Sequence, residues 1–214
     1  MDKIEFRNVL PEVFASQHDL KSDVWKSCFE LERGKIYLVE ANSGKGKSTF
    51  CSYLIGYRND YSGEILFDGV NVDNYTTKQW IDVRKKHISH LFQELRLFPE
   101  LTALENIEIK NNLTNDATRQ HILDWFQQLG ISDKTNEKVG RMSFGQQQRV
   151  ALVRALAQPY DFLVIDEPIS HLDDDNAEIM SRILLEEVRR KNASLIVTSI
   201  GKHLPIEYDK TLKL

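Results

Sequence analysis

Two short runs of the chain carry residue types suited to phosphate chemistry. The first covers residues 41–49 (ANSGKGKST) and ends in Gly46, Lys47 and Ser48, as in the pattern G-x-x-x-x-G-K-[ST]. Glycines let backbone N–H groups approach phosphate oxygens closely, the lysine reaches the β- and γ-phosphates, and the serine hydroxyl can ligate Mg²⁺. The second run, residues 142–149 (MSFGQQQR), begins with a serine and a glycine that can present donors to an anion.

The sequence on either side of the first run supports a phosphate-binding loop. Residues 35–40 are rich in β-formers, and residues 48–55 continue as a helix whose positive end points at the same anion. The first glycine of the pattern is replaced by Ala41, which fits if its backbone keeps a negative φ. Lys45 can face phosphate or solvent. The residues expected to bind nucleotide here are Asn42, Ser43, Gly44, Lys45, Gly46, Lys47, Ser48 and Thr49.

The elements that must position this loop predict an α/β fold with a P-loop NTPase (RecA-like) core. Apolar runs at 35–40, 162–165 and 195–198 are typical of buried parallel strands, and residues 176–191 show one apolar helix face. No strong strand signal lies between 97 and 159, where 116–129 and 143–158 have helical spacing. We therefore expect an inserted helical subdomain.

The N-terminal part predicts an antiparallel β-patch. It comprises residues 4–31 together with 64–69, with turns at Asp68-Gly69 and Ser62-Gly63. The expected division is a single domain, 1–214, in which 1–94 and 160–214 form the α/β core with the β-patch and 95–159 form the helical subdomain.

Composition limits the possible partners. The 214 residues carry a net charge of −4, which gives no electrostatic support for nucleic-acid binding. The two cysteines, Cys28 and Cys51, have no metal-binding or redox spacing, so we expect buried thiols in a reducing compartment. No apolar run reaches the roughly 20 residues of a membrane span and the N-terminus does not read as a signal peptide, so a cytoplasmic protein is expected.

The order of these and further motifs resembles that of ATP-binding cassette (ABC) ATPases over nearly the whole chain. Four further runs follow the phosphate loop. HLFQE at 90–94 is similar to the family's glutamine loop, and SFGQ at 143–146 is similar to its signature. FLVIDEP at 162–168 is similar to Walker B, and SHLD at 170–173 is similar to the aspartate loop. The segment 97–107 most resembles the group of lipoprotein-release, macrolide-export and cell-division ATPases. It also predicts a helix start, with Thr102 and Glu105 as a capping box.

The resemblance implies a set of residues for the chemistry of ATP and Mg²⁺. Asp166 and Gln93 would join Ser48 in holding Mg²⁺, and Gln93 would also hold the attacking water. Glu167 would be the general base and Lys47 would contact the phosphates.

Other positions are implied to bind ATP across a dimer. Ser143, Gly145 and Gln146 would contact the γ-phosphate held by the opposite subunit, and Asp173 would lie at the dimer interface. Phe144 replaces a family glycine, so either its side chain points away or the contact between subunits is weaker. His171 is expected to be a surface residue.

The sequence leaves two roles open: the residue that stacks on adenine, and the residue that takes the place of the family's histidine. Phe14 is the candidate for stacking on adenine, with packing into the β-patch as the alternative. The family's histidine after the last core strand is replaced by Ser199, which can donate a hydrogen bond but lacks a comparable reach and charge. His203 either substitutes for that histidine or is a plain surface residue.

The resemblance implies an ATP-binding and hydrolysing subunit, peripheral on the inner face of the membrane. It would dimerise around two Mg-ATP, with a second copy of itself or a related ABC ATPase subunit, and drive a separate integral membrane permease or effector. The altered residues 144 and 199 support an alternative, an ATP-gated dimerisation or signalling module with weak or no hydrolysis. A soluble DNA-repair or translation protein is disfavoured, because the long coiled coils or paired cassettes of those families are not seen.

Overall fold

The computed structural model describes residues 1–17, 20–42, 44–168 and 174–214, and these residues form two sheets with helices around them. One sheet is antiparallel and four-stranded, in the order β2-β1-β4-β5. Along most of two of its strands, Lys3–Pro11 and Cys28–Glu32, buried residues alternate with exposed or half-buried ones, as expected of a sheet with one covered face. The strands are β1 (Lys3–Pro11), β2 (Cys28–Glu32), β4 (Tyr61–Phe67) and β5 (Val70–Asn71). This sheet confirms the predicted antiparallel β-patch.

Two expectations about this sheet were wrong. Asp68-Gly69 forms the turn between β4 and β5, but Ser62-Gly63 lies inside β4, where the pairing with β1 shifts register. Gly63 has a φ of +91°, and a Cβ there would lie 2.4 Å from the carbonyl oxygen of Asn8, so the glycine serves a bulge. The expectation of two buried thiols holds for Cys51 but is wrong for Cys28, which is exposed because it faces solvent on the alternating strand β2.

The second sheet is parallel and five-stranded, in the order β6-β7-β8-β3-β9. Every residue of β6, β7 and β8 is buried, which explains why these strands have continuous apolar runs. The strands are β3 (Ile36–Glu40), β6 (Ile88–Leu91), β7 (Phe162–Asp166), β8 (Ser194–Ser199) and β9 (Lys210–Lys213). The α/β core is therefore confirmed.

The structure describes every residue between β6 and β7. This stretch contains only helices and turns, apart from an isolated β-bridge between Thr102 and Lys138. Capping boxes begin three of the helices whose N-terminal caps the structure describes, including the predicted box of Thr102 and Glu105. The α-helices are α1 (Lys47–Leu54), α2 (Thr77–Asp82), α3 (Ala103–Asn111), α4 (Arg119–Gln128), α5 (Phe144–Leu156) and α6 (Asp174–Lys191). A π-helical turn (Val83–His87) follows α2, and 3₁₀ turns lie at Glu12–Phe14, Val72–Asn74, Ser132–Lys134 and Val139–Arg141.

Two hydrophobic clusters hold these layers together. One lies between the antiparallel sheet, α1 and one face of the parallel sheet, and includes Trp25 and Phe50. The other packs α3–α6 on the opposite face, around Trp125 and Phe126. None of the helices in the described ranges combines the length and hydropathy that a bilayer-spanning segment requires.

Candidate nucleotide-binding site

The carboxyl ends of the parallel strands converge on the phosphate loop. β3 leads directly into it, β7 ends at Asp166, β8 ends at Ser199, and Gln93 follows β6 by two residues. In open parallel sheets this edge is where ligands bind, because loops and helix N-termini gather there. The sheet topology thus brings together residues that are far apart in sequence.

The phosphate loop depends on backbone conformations that favour glycine. Gly44 has a φ of +77° and Gly46, which caps α1, has a φ of +100°. A Cβ on Gly46 would lie 2.9 Å from Phe14 Cε2 and 3.1 Å from Trp25 Cζ2. The indole N–H of Trp25 also donates to the carbonyl oxygen of Lys45 at 3.3 Å. The two aromatic rings therefore support the loop from behind, and sequence reasoning missed Trp25 because nothing in its spacing ties it to the loop.

Ala41, which replaces the first glycine of the pattern, is not among the residues with positive φ, so alanine is sterically suited to this position. Lys45, Asn42 and Ser48 are exposed beside it, whereas Thr49 is buried. Exposure of Lys45 agrees with the solvent-facing alternative. Ser43 lies outside the described residues.

Lys47 is nearly buried and its charge is matched by Glu167. Lys47 Nζ lies 3.3 Å from Glu167 Oε1 and donates to the carbonyl oxygen of Ala41 at 3.5 Å. Gln93 Nε2 donates to Glu167 Oε2 at 3.2 Å. These three side chains, predicted from three separate motifs, thus form one contiguous polar group.

Asp166 and Glu167 occupy different environments although they are adjacent. Burial raises the pKa of Asp166, and a hydrogen bond donated by the Thr198 hydroxyl acts in the opposite direction. Glu167 has a φ of +50°, an uncommon conformation for a residue with a side chain, and its N–H donates to the carbonyl oxygen of Thr198 at 3.1 Å. This turn directs the Glu167 carboxylate to Lys47 and Gln93.

Ser199 is buried at the end of β8, and its hydroxyl donates to the carbonyl oxygen of Lys202. Its own carbonyl oxygen accepts from the Ala41 N–H at 3.2 Å, so its backbone supports the phosphate loop. His203 Nε2 lies 2.8 Å from Glu40 Oε1. The described contact of His203 is therefore with the end of β3, and its predicted rescue role stays a prediction.

A cleft of about 360 Å³ lies over the phosphate loop, between Gly44–Thr49, Gln93 and Glu167. Phe14 lines the cleft but is only 6% exposed, and its ring packs on Trp25 with centroids 6.3 Å apart. The packing alternative for Phe14 is thus observed, and stacking on adenine stays a prediction. Exposed Val13 and Ile200, and Arg58 bonded to Thr49 Oγ1 at 3.2 Å, also line the cleft. No motif pointed to these three residues.

A larger cavity of about 720 Å³ lies beside α2 and Phe67 and includes none of the predicted site residues. Apolar, basic and acidic side chains all line it. Chemistry rather than size therefore identifies the phosphate-loop cleft as the candidate site.

The signature residues begin α5 and do not line the phosphate-loop cleft of the same chain, as far as its described residues show. The Ser143 hydroxyl accepts from the Gln146 N–H at 3.3 Å, and the Gln146 side chain accepts from the Ser143 N–H at 3.0 Å. Phe144 is the first residue of the helix and is 46% exposed, and a Cβ on Gly145 would meet no atom of the described residues within 4 Å. The start of the helix is thus open to a ligand from outside the chain.

The signature helix also contacts the acidic end of β7. Gln148 Nε2 donates to the carbonyl oxygen of Pro168, directly after Glu167. The aspartate-loop residues that follow, including the predicted Asp173 and His171, lie outside the described residues.

Comparisons with known proteins agree with this arrangement. The family model described as "ABC transporter" matches residues 26–170. The chain is 33% identical over 189 residues to the lipoprotein-releasing system ATP-binding protein LolD of Syntrophus aciditrophicus (strain SB), covering 86% of this chain and 82% of that protein. It is 30% identical over 210 residues to the uncharacterized ABC transporter ATP-binding protein YbbA of Escherichia coli (strain K12), covering 92% of each.

Among solved structures, the dimeric structure of a bacterial ABC transporter cassette matches with a TM-score of 0.78 and 24% identity, over 92% of this chain and 87% of that one. A dimeric post-hydrolysis state of the same cassette, bound to ADP and Pi, matches with a TM-score of 0.79 and 23% identity, over 93% and 88%. At these identities the likeness concerns the fold.

Proposed function

Because the chain belongs to the ABC transporter family as one of its ATPase domains, we propose that it hydrolyses Mg-ATP between two cassettes, at the phosphate loop of one and the signature of the other. The observation that carries this proposal is the polar group of Lys47, Glu167 and Gln93, which the sheet assembles at the phosphate loop. It joins a phosphate-binding cation, a candidate base and a residue able to orient water.

The chain's own residues suit this chemistry. Lys47 exchanges its contact with Glu167 for the β- and γ-phosphates, which frees the Glu167 carboxylate to accept a proton from the attacking water. Gln93, already bonded to Glu167, orients that water. The strained backbone of Glu167 holds the base in this direction.

The donor set near Lys47 fits Mg²⁺, which prefers oxygen ligands. The Ser48 hydroxyl, the Gln93 amide oxygen and the Asp166 carboxylate would hold the ion, with the Thr198 hydroxyl fixing Asp166. Bound Mg²⁺ would neutralise charge that develops on the phosphates. Asn42, Ser43, Gly44, Lys45, Gly46 and Thr49 would complete the nucleotide contacts, together with Phe14 beneath the loop.

A second cassette supplies the remaining contacts in this proposal. Ser143, Gly145 and Gln146 lie at the positive end of a 13-residue helix that is open to the outside. They would bind the γ-phosphate on the opposite subunit, with Asp173 at the interface. The partner is a second copy or a related ABC ATPase subunit, and the segment 95–159 acts as the subdomain that carries the signature.

A second candidate function is an ATP-gated module with little turnover. Its specific support is the absence of a histidine at residue 199, where the serine hydroxyl is already bonded to the carbonyl oxygen of Lys202, while His203 Nε2 lies 2.8 Å from Glu40 Oε1. Such a protein would bind ATP, dimerise and signal by conformation.

The two functions are separated by phosphate release from Mg-ATP by wild-type protein, Glu167→Gln and Ser199→His. Catalysis by Glu167 predicts turnover in the wild type that falls by at least about 100-fold in Glu167→Gln, and a rise in Ser199→His. Wild-type turnover no greater than that of Glu167→Gln, with ATP binding retained in both, would favour the module instead.

The proposed setting is the cytoplasmic face of the membrane, with an integral membrane permease or effector as partner. Relatives such as the lipoprotein-releasing system protein support a transport role, and the net charge of −4 gives no support for nucleic acid. Affinity capture of tagged Glu167→Gln from gently solubilised cells with Mg-ATP tests this. A co-purifying multi-span protein supports it, and recovery of soluble partners alone contradicts it.

A further inference from the structure

Three buried side chains of different ligand types meet beneath the phosphate loop. A ligand atom from each of Cys51, His90 and Asp166 lies within 4.8 Å of the others. The three residues are 1%, 8% and 5% exposed. They belong to α1, β6 and β7, so the fold rather than a sequence motif creates the cluster.

The histidine of this cluster lacks hydrogen-bond partners. Among the residues that the structure describes, neither Nδ1 nor Nε2 of His90 has one, although the ring is more than nine-tenths buried and packs on Phe92 with centroids 4.1 Å apart. A buried polar group without a partner destabilises the folded state, so it calls for a ligand or another explanation. Burial lowers the pKa of His90 to about 3, which leaves the imidazole neutral with a lone pair to donate.

We propose that Cys51, His90 and Asp166 form a Zn²⁺-binding site, with water as the fourth ligand. A thiolate, an imidazole and a carboxylate are the ligands that Zn²⁺ takes in proteins, whereas Mg²⁺ prefers oxygen alone. Tetrahedral Zn²⁺ with bonds of about 2.0–2.3 Å separates its ligand atoms by about 3.5 Å. The distances between the three ligand atoms, now at most 4.8 Å, would therefore have to shorten by little more than about 1 Å. Rotation of the side chains can supply a change of this size.

The remaining contacts are compatible with this site. The Thr198 hydroxyl occupies one side of the Asp166 carboxylate and would orient it as a supporting donor. Cys51 loses its thiol proton to solvent as the Zn–S bond forms. Cys51 lies four residues after Lys47 on α1, one helical turn further from the phosphate loop.

A regulatory consequence rests on the proposed function. Because Asp166 would serve both ions, Zn²⁺ bound here withdraws it from Mg-ATP and stops hydrolysis. Saturating Mg-ATP should weaken Zn²⁺ binding by the same factor by which Zn²⁺ weakens Mg-ATP binding.

The test uses Co²⁺ as a spectroscopic substitute for Zn²⁺ on the nucleotide-free protein. Wild type should develop a thiolate-to-cobalt charge-transfer band that one equivalent of Zn²⁺ removes. Cys51→Ala should lose the band, and His90→Phe should weaken Zn²⁺ binding at least about 10-fold against a chromophoric chelator. The matched control is Cys28→Ser, at the other, exposed cysteine, which should keep the band and the affinity.

Loss of the band in Cys28→Ser, or its persistence in Cys51→Ala, would overturn the proposal, as would wild type without a band. Near-ultraviolet circular dichroism checks that each variant is folded. If Cys51→Ala unfolds, His90→Phe still tests the site through its Zn²⁺ affinity, because this variant keeps an aromatic ring beside Phe92. In hydrolysis assays, Zn²⁺ should inhibit wild type and Cys28→Ser but not Cys51→Ala. Equal inhibition of all three contradicts the shared use of Asp166, whereas lack of hydrolysis without Zn²⁺ contradicts only the proposed function.

Discussion

Substitution of Gly46 by alanine tests how the aromatic rings support the phosphate loop. Gly46 adopts a φ of +100°, where a residue with a Cβ is strained by about 1–3 kcal/mol. The added Cβ would also lie 2.9 Å from Phe14 and 3.1 Å from Trp25. Both rings are buried, so they must shift within a packed cluster, which costs about another 1–3 kcal/mol.

Gly44→Ala separates these two contributions. Gly44 also has a positive φ, +77°, but a Cβ there meets no atom of the described residues within 4 Å, so only backbone strain of about 1–3 kcal/mol is expected. Gly145→Ala is the helical control, where alanine should stabilise by up to about 1 kcal/mol.

The assay is urea unfolding of the nucleotide-free protein, followed by far-ultraviolet circular dichroism. We expect the free energy of unfolding to fall most in Gly46→Ala, less in Gly44→Ala, and not at all in Gly145→Ala. A loss in Gly46→Ala no greater than in Gly44→Ala would refute the conclusion that Phe14 and Trp25 confine the loop.

Three further predictions address single interactions. Thr198→Val removes the hydroxyl that bonds to buried Asp166, so urea unfolding at pH 7 should show a loss of about 1.5–3 kcal/mol, and an unchanged stability would contradict that bond. Burial lowers the pKa of Lys110 to about 8, below its value in the unfolded chain, so the folded state holds that proton less tightly. Lys110→Met should therefore raise the Tm at pH 7, with an advantage that shrinks from pH 8 to pH 10.5, and an advantage that stays constant over that range would contradict the lowered pKa. Phe144→Gly should leave phosphate release unchanged or raise it, since the phenyl group is 46% exposed, and a large loss would show that the ring is needed.

The parallel core could be predicted from the sequence because its signals are local. Continuous apolar runs mark β7 and β8, and the residues around Lys47 combine a strand, a glycine loop and a helix in one segment. The bulge at Gly63 could not be predicted, because its cause is the carbonyl oxygen of Asn8 on another strand. A glycine beside a polar residue has the same local pattern in a turn and in a bulge.

The candidate site was predictable as far as motif order reaches. Lys47, Gln93 and Glu167 belong to recognisable runs, and the sheet brings them into contact. The convergence of Cys51 and His90 depends on the packing of α1 against β7 and on the pairing of β6 with β7, which no spacing in the sequence encodes.

The most direct test of the two-cassette account, with two copies of this chain as the pair, is the mass in solution of Glu167→Gln protein, measured by light scattering with and without Mg-ATP. The added substitution Gly145→Glu supplies the control, because a Cβ there meets no described residue of the same chain, whereas on the proposed account the side chain would meet the γ-phosphate held by the partner. The account predicts that Mg-ATP doubles the mass of Glu167→Gln and leaves Glu167→Gln/Gly145→Glu monomeric, with ATP binding retained in both. A Glu167→Gln protein that binds ATP but stays monomeric, or a double variant that still dimerises, would contradict it.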